Sequence, residues 1–142
     1  MKRSLYFSIF VLAAGLFLSS CQSVEEAEKV ADEFYLAYNN QDAPKMETLF
    51  DKELVLDAGI TEEFYNVFDQ RWQAFGKATA QKRYAFSTNT DNGLTVVSLK
   101  YEVENETGGK DFEKLDFVKR GDAYKIFAYE YNISKSVIDN AK

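Results

Sequence analysis

The residues able to do chemistry are few in kind. The 142-residue chain has no histidine and one cysteine, Cys21. Without imidazole there is no Ser-His-Asp or Cys-His pair and no imidazole-ligated metal. Neither GxxxxGK nor GxGxxG occurs, so phosphate cradles of those kinds are missing. Acidic residues and tyrosines are plentiful, but no spacing singles out a pair. One cation stands apart: Arg71, in "DQRWQAFG", precedes Trp72 and Phe75 on a segment otherwise apolar at helical spacing. Three roles are open to it. It can meet an anionic ligand, pair with Asp69 or an acidic residue on a strand, or pack its stem on aromatics with its head in water.

Three short matches carry little. "RGD", Arg120 to Asp122, has the form of an adhesion ligand, but a turn between strands needs Gly and Asp for its own geometry. "TNTDNG" has Thr88 where the first aspartate of a calcium loop belongs, counting back from Gly93. "NIS", Asn132 to Ser134, fits a glycosylation sequon, a three-residue match that carries little weight by itself.

The cysteine takes its meaning from what precedes it. Lys2 and Arg3 form a basic start, and Leu5 to Leu18 is an apolar run broken only by Ser8 and Gly15. That run is short of the roughly 20 residues a spanning helix needs, and it suits the core of a secretory signal. The closing "LSSC", Leu18 to Cys21, resembles the lipobox of bacterial lipoproteins. The resemblance implies cleavage between Ser20 and Cys21 and attachment of lipid to the Cys21 sulfur. It commits the only thiol, so thiolate catalysis and Fe–S clusters drop out, and the chain must fold without disulfides. A single acyl chain binds a bilayer only marginally, whereas two or three hold firmly. The absence of Asp after Cys21 resembles the pattern for sorting to the outer membrane. Gln22, Glu25 and Glu26 match a surface-display signal only loosely, so a periplasm-facing position is favoured.

Beyond a signal over 1–20 and a short linker at 21–23, one domain over 24–133 and a tail over 134–142 are expected. Removing Lys2 and Arg3 leaves 15 basic against 23 acidic residues, a net charge of −8. That balance argues against nucleic-acid binding and against a polybasic hold on anionic lipid. Of 22 aromatics, 18 lie beyond the signal, enough to build the core.

The elements that must position these residues follow from periodicity. Ala27, Val30, Ala31, Phe34 and Tyr38 predict a helix starting at Val24, capped by Ser23, with Glu25 and Glu26 in its first turn. Asp42 caps a second helix carrying Pro44, Met46, Leu49 and Phe50. "ELVLDAG" reads as a short strand or irregular link. Thr61 caps a third helix bearing Phe64, Val67, Phe68, Arg71, Trp72 and Phe75, which Gly76 stops. The period then becomes two. A strand over 78–89 turns at Asn92-Gly93 into one with Val97, Leu99, Tyr101 and Val103 on one face. "DFEKLDFVK" puts Leu115 and Phe117 together. In "AYKIFAYEYNI" both faces are apolar, Phe127, Tyr129 and Tyr131 on one and Tyr124 and Ile126 on the other. "SKSVIDNAK" reads as a fraying tail.

Three N-terminal helices before a four-stranded antiparallel meander make an α+β domain. Element order, length and the aromatic last strand, Gly121 to Tyr131, resemble the nuclear transport factor 2-like, or cystatin-like, fold, a curved sheet wrapping a long helix as a cone. The resemblance covers about Val24 to Ile133. It implies an interior lined by Tyr38, Arg71, Trp72, Phe75, Tyr101 and Tyr129. Enzymes of this fold often transfer protons with a carboxylate and a tyrosine, for which Asp57, Asp116, Tyr38, Tyr101 and Tyr129 are the residue types present. With no catalytic motif, no metal site and no cofactor motif, the favoured reading is a non-catalytic module, binding a small apolar ligand or an envelope protein. The alternatives are assembly through the exposed sheet face, as a homodimer, and a proton-transfer isomerase or dehydratase.

Overall fold

Between Lys2 and Asn39 the chain has no proline and a single glycine, Gly15, and it forms one unbroken α-helix, α1 (Lys2–Asn39). A computed structural model describes the backbone of residues 2–56 and 61–141, and the side chains of 21–55, 62–90 and 92–141. Ser23 therefore lies inside a helix and does not begin one. A serine in a helix interior costs only a few tenths of a kcal/mol, too little to break a helix with no Gly or Pro nearby. From Val24 onward α1 buries Ala27, Ala31, Phe34, Tyr35 and Tyr38. It closes in a Schellman motif, Asp42 N donating to Ala37 O (2.9 Å) and Gln41 N to Tyr38 O (2.9 Å), with Gln41 left-handed at φ +53°.

Asp42 then caps α2 (Ala43–Leu49), accepting from Lys45 N at 3.1 Å. The expected strand or irregular link after it is instead a π-helical turn, Lys52–Leu56. Asp51 organises it: its carboxylate accepts from Leu54 N (2.9 Å) and from Arg120 Nε (2.7 Å). Asp57 lies outside the described residues. The third helix, α3 (Thr61–Phe75), ends where Gly76 takes φ +67°, and a Cβ there would stand 2.8 Å from Glu106 Oε2.

Four antiparallel strands follow in order: β1 (Ala78–Asp91), β2 (Leu94–Asn105), β3 (Lys110–Arg120) and β4 (Ala123–Asn132). Asn92 (φ +50°) and Gly93 (φ +79°) make the predicted type I′ hairpin. Val97, Leu99, Tyr101 and Val103 are buried on the inner face with Leu115 and Phe117, against α1.

The last strand departs from simple alternation. Phe117 pairs with Ile126 and Asp116 with Ala128, so Phe127 is an extra residue in a β-bulge. Before the bulge Tyr124 and Ile126 face inward, and after it Tyr129 and Tyr131 do so too. Four of the five apolar residues expected on the two faces of this strand thus lie on one, while Phe127 borders the outer face beside Ser98, Lys100 and Asp116.

Nor does the C-terminal segment fray. Residues 135–140 form α4 (Lys135–Asn140), which buries Ile138 on the outer face of the sheet. Lys100 Nζ donates to the Ile138 and Asp139 carbonyls (2.9 and 3.1 Å), satisfying the helix end, and Tyr84 donates to Asp139 (3.0 Å). The described residues thus hold five helical segments, not three N-terminal ones. Ile138→Ala should cost about 2–5 kcal/mol in urea denaturation. A cost near zero would mean that α4 is not part of the folded unit.

Candidate functional site

The inward positions of the sheet do not stop at its apolar residues. In β2, Asn105 continues the row of Val97, Leu99, Tyr101 and Val103. In β3, Asp111 and Glu113 precede Leu115 and Phe117 in the same phase. The antiparallel register sets Tyr101 opposite Glu113 and Val103 opposite Asp111. Two carboxyls and an amide are thereby carried into the core beneath α3.

Arg71 meets them. Its side chain is only 1% exposed. Nε donates to Asp111 Oδ2 (3.3 Å), and Nη2 donates to Asn105 Oδ1 (3.1 Å) and Asp111 Oδ1 (3.3 Å). The same Nη2 stands 2.6 Å from Glu113 Oε1. Asn105 Nδ2 donates to Asp111 Oδ1 (2.7 Å), and the Tyr35 hydroxyl donates to Glu113 Oε2 (2.8 Å). The guanidinium also lies over the Tyr38 ring, 4.6 Å from its centroid.

Two acids against one base leave the electrostatics unevenly matched. Complete burial pushes the Glu113 carboxyl up to about 8; Arg71 and the Tyr35 hydroxyl pull it back, and Asp111 adds to the rise. Burial opposes the charge on Arg71, but Glu113, Tyr129 and Asp111 together hold it above its ordinary value. Burial likewise raises the Tyr35 and Tyr129 hydroxyls well above theirs.

Two clefts flank α3. The first, about 290 Å³, lies between α1, α2 and α3 and is lined chiefly by Tyr38, Met46, Phe64, Phe68 and Trp72, with Gln41 and Asp69 as polar members. The second, about 250 Å³, lies between α3 and β4 and is lined by Phe50, Val55, Phe64, Phe68, Phe127 and Tyr129 among others. Phe64 and Phe68 form the wall they share, packed edge-to-face on Phe50 (4.6 and 5.8 Å between centroids). At the first cleft Gln41 holds a left-handed backbone that usually falls to glycine, a strain costing roughly 1–2 kcal/mol.

Of the six residues expected in the interior, four come together. Tyr38 and Trp72 line the first cleft, 5.4 Å apart, Tyr129 lines the second, and Arg71 shares their core, stacked on Tyr38. Phe75 packs against Tyr131 (6.2 Å), and Tyr101 against Tyr35 (5.7 Å) beneath α1; neither lines these clefts. The head of Arg71 is not in water but on the sheet acids. Asp116 faces the other side of the sheet, paired with Lys114 (2.8 Å) and hydrogen-bonded to Ser98. Arg120 of the "RGD" turn is tied to Asp51. Tyr35, Asn105, Asp111 and Glu113 escaped the sequence reading, although the two-residue period through Val103 and Leu115 already pointed to the last three. Among the described residues no group of three or more acidic or thiol side chains is placed to hold a metal, and no helix is long and apolar enough to cross a membrane.

The solved structures this architecture is similar to share its fold at low identity. One, from Nostoc punctiforme, is a protein of unknown function with a cystatin-like fold: TM-score 0.54, 13% identity, 78% of this chain and 90% of that one. Another is Bdellovibrio bacteriovorus Bd1075, with TM-score 0.50 and 16% identity over 75% of this chain. The match spans 39% of Bd1075. No protein-family model and no curated protein matches. The chain is thus an α+β protein of cystatin-like fold, with an open four-stranded antiparallel sheet.

The charge cluster makes stability depend on pH. Glu113 titrates at 4.5 when free and at about 8 in the fold, so the folded state keeps a proton that the unfolded chain releases. Its contribution is full below pH 4.5 and is lost as pH rises towards 8. Denaturant midpoints measured across that window should fall with rising pH, and Glu113→Gln should flatten the slope. An unchanged slope in the variant would place the titration elsewhere.

Proposed function

We propose that this chain is a lipid-anchored module of the bacterial cell envelope that binds a small apolar or amphipathic molecule beside α3 without transforming it. The observation that carries the binding half is the pair of aromatic clefts sharing Phe64 and Phe68. They have the apolar lining of ligand sites, with a few polar groups at their margins, and volumes of about 290 and 250 Å³, just below the roughly 300 Å³ at which such sites usually begin. In this reading the cystatin-like fold is of the nuclear transport factor 2-like kind, its sheet wrapped on α1.

The anchoring half rests on "LSSC". Cys21 is exposed, and Val24, three residues later, is already in the core. At 1.5 Å per residue those three span about 4.5 Å, so lipid at Cys21 would hold the domain against the membrane, most simply the periplasmic face of the outer membrane. Membrane fractionation and intact-mass measurement test it: Cys21→Ala should lose the acyl mass and leave the membrane fraction, and a variant that stays there contradicts the anchor.

A proton-transfer enzyme is the second reading, and one observation favours it: a buried carboxyl raised to about 8 stands 2.8 Å from the Tyr35 hydroxyl. Binding is preferred because Glu113 has no exposed surface and lines neither cleft beside α3. Its Oε2 accepts from the Tyr35 hydroxyl and its Oε1 stands in an ion-pair contact with Arg71, which suits a structural charge cluster.

Native mass spectrometry of protein purified gently from its own host tests the binding reading. An additional mass is expected, and Met46→Trp, which narrows the first cleft, should reduce its occupancy if that cleft holds it. A clean apo mass, with no probe bound at either cleft, would contradict the proposal.

A further inference from the structure

On α3, Tyr65, Asp69 and Trp72 follow one another at intervals of four and three residues, so they share one face of the helix. That face borders the cleft between α1, α2 and α3, where Phe64, Phe68 and, from α1, Tyr38 complete an aromatic lining. A carboxylate thus stands between two rings at the side of a largely apolar space. Asp69 is exposed and, among the described residues, has no hydrogen bond or ion pair. Arg71, two residues further on, is turned to Asp111 and Glu113 instead. Among the described residues no lysine or arginine lines the cleft, and Lys45, beside Met46 on α2, is held by Glu33 at 2.7 Å. The cleft therefore carries one acid that no cation of the fold answers.

Charge decides between ligand classes. An anion would meet Asp69 and no cation. A neutral apolar body would fill the space but gain nothing from the carboxylate. An organic cation gains from both walls, because aromatic faces are negative and attract ammonium groups. Trp72 meets Tyr38 edge-to-face, 5.4 Å between centroids, and Phe64 meets Tyr65 in the same way at 5.3 Å. The corner of an edge-to-face pair is bounded by a face of each ring. The Arg71 guanidinium over Tyr38 does not oppose a second cation, since two carboxyls already answer it. We propose that the cleft between α1, α2 and α3 binds an organic cation, a substituted ammonium group on an apolar body, with the ammonium seated against Tyr65 and Trp72 and facing the Asp69 carboxylate. This rests on the reading of the chain as a binding module and names the ligand class for one of its clefts.

The chain has a single tryptophan, so Trp72 emission reads occupancy of this cleft directly. Three probes of one shape are titrated into the full chain, their free concentrations fixed by equilibrium dialysis. They are benzyltrimethylammonium, its uncharged carbon counterpart neopentylbenzene, and the anion phenylmethanesulfonate. The cation should bind about tenfold tighter than neopentylbenzene, the scale of one partly desolvated cation–π contact. Phenylmethanesulfonate should bind most weakly of the three. Asp69→Asn should lower the affinity for the cation roughly threefold, the scale of an exposed ion pair, and do less to neopentylbenzene. It should not lower the melting temperature of the ligand-free protein, since the carboxylate it neutralises is unpaired. Equal or tighter binding of neopentylbenzene, or preference for the sulfonate, would overturn the ligand class while leaving a binding cleft. Undiminished affinity for the cation in Asp69→Asn would overturn the part given to Asp69, and the assignment with it. A drop in melting temperature for that variant would show the carboxylate already paired within the protein, which contradicts the assignment too. Failure of every probe to change Trp72 emission would overturn the binding reading of this cleft and the ligand class together.

Discussion

Arg71 carries a permanent charge into a core where almost none of its surface meets solvent, and the surrounding structure answers that fact. A guanidinium cannot shed its proton, so burial has to be offset by acceptors. Asp111, Glu113 and Asn105 supply them from the two central strands, and the Tyr38 face supplies a further attraction from α1. Helix α1, helix α3 and strands β2 and β3 thereby meet at one side chain. Such a cluster is weak evidence of net stability, because desolvation consumes most of the Coulombic gain. Its consequence is specificity: any other placement of α3 strands a charge.

The rest of α3 is held differently. Phe64 and Phe68 pack edge-to-face on Phe50 and on each other, in contacts that tolerate small shifts, and the clefts lie on either side of those two rings. A helix pinned by charges near its C-terminal end and by aromatic rings near its middle keeps its register while leaving space beside it. The clefts are thus a product of how α3 is attached. Gly76 completes the attachment: its left-handed backbone turns the chain from α3 into β1, and its carbonyl accepts from the Tyr38 hydroxyl at 3.0 Å.

Much of this was legible in the sequence, and the failures have physical causes. Apolar spacing located α2, α3 and all four strands because each buries one clear stripe, and Asn92-Gly93 declared its own turn. The start of α1 was misplaced because a serine before acidic residues reads as a cap, although a helix already in progress passes through a serine cheaply. The face assignment of β4 failed at Phe127, since a bulge leaves no mark on an alternating pattern until pairing is known. The tail was misjudged because one buried isoleucine and a lysine from β2 are tertiary effects. At the site, Asp111 and Glu113 sat in phase with Leu115 and Phe117, but acidic residues are ordinarily solvated. Only the unmatched Arg71 hinted that they were not, and the spacing of neither segment could pair them.

The central claim is that Arg71 and the sheet acids act as a unit that fixes α3. A double-mutant cycle on folding stability tests it most directly, with Arg71→Met, Glu113→Leu and the double variant compared by chemical denaturation. Losing Arg71 leaves Asp111 and Glu113 without their cation, losing Glu113 leaves Arg71 to Asp111 and Asn105 alone, and the double change removes the Arg71–Glu113 contact as a pair while Asp111 remains. The account predicts that the double variant loses far less stability than the sum of the singles, a coupling on the order of 1–3 kcal/mol. Additivity within about 0.5 kcal/mol would contradict it.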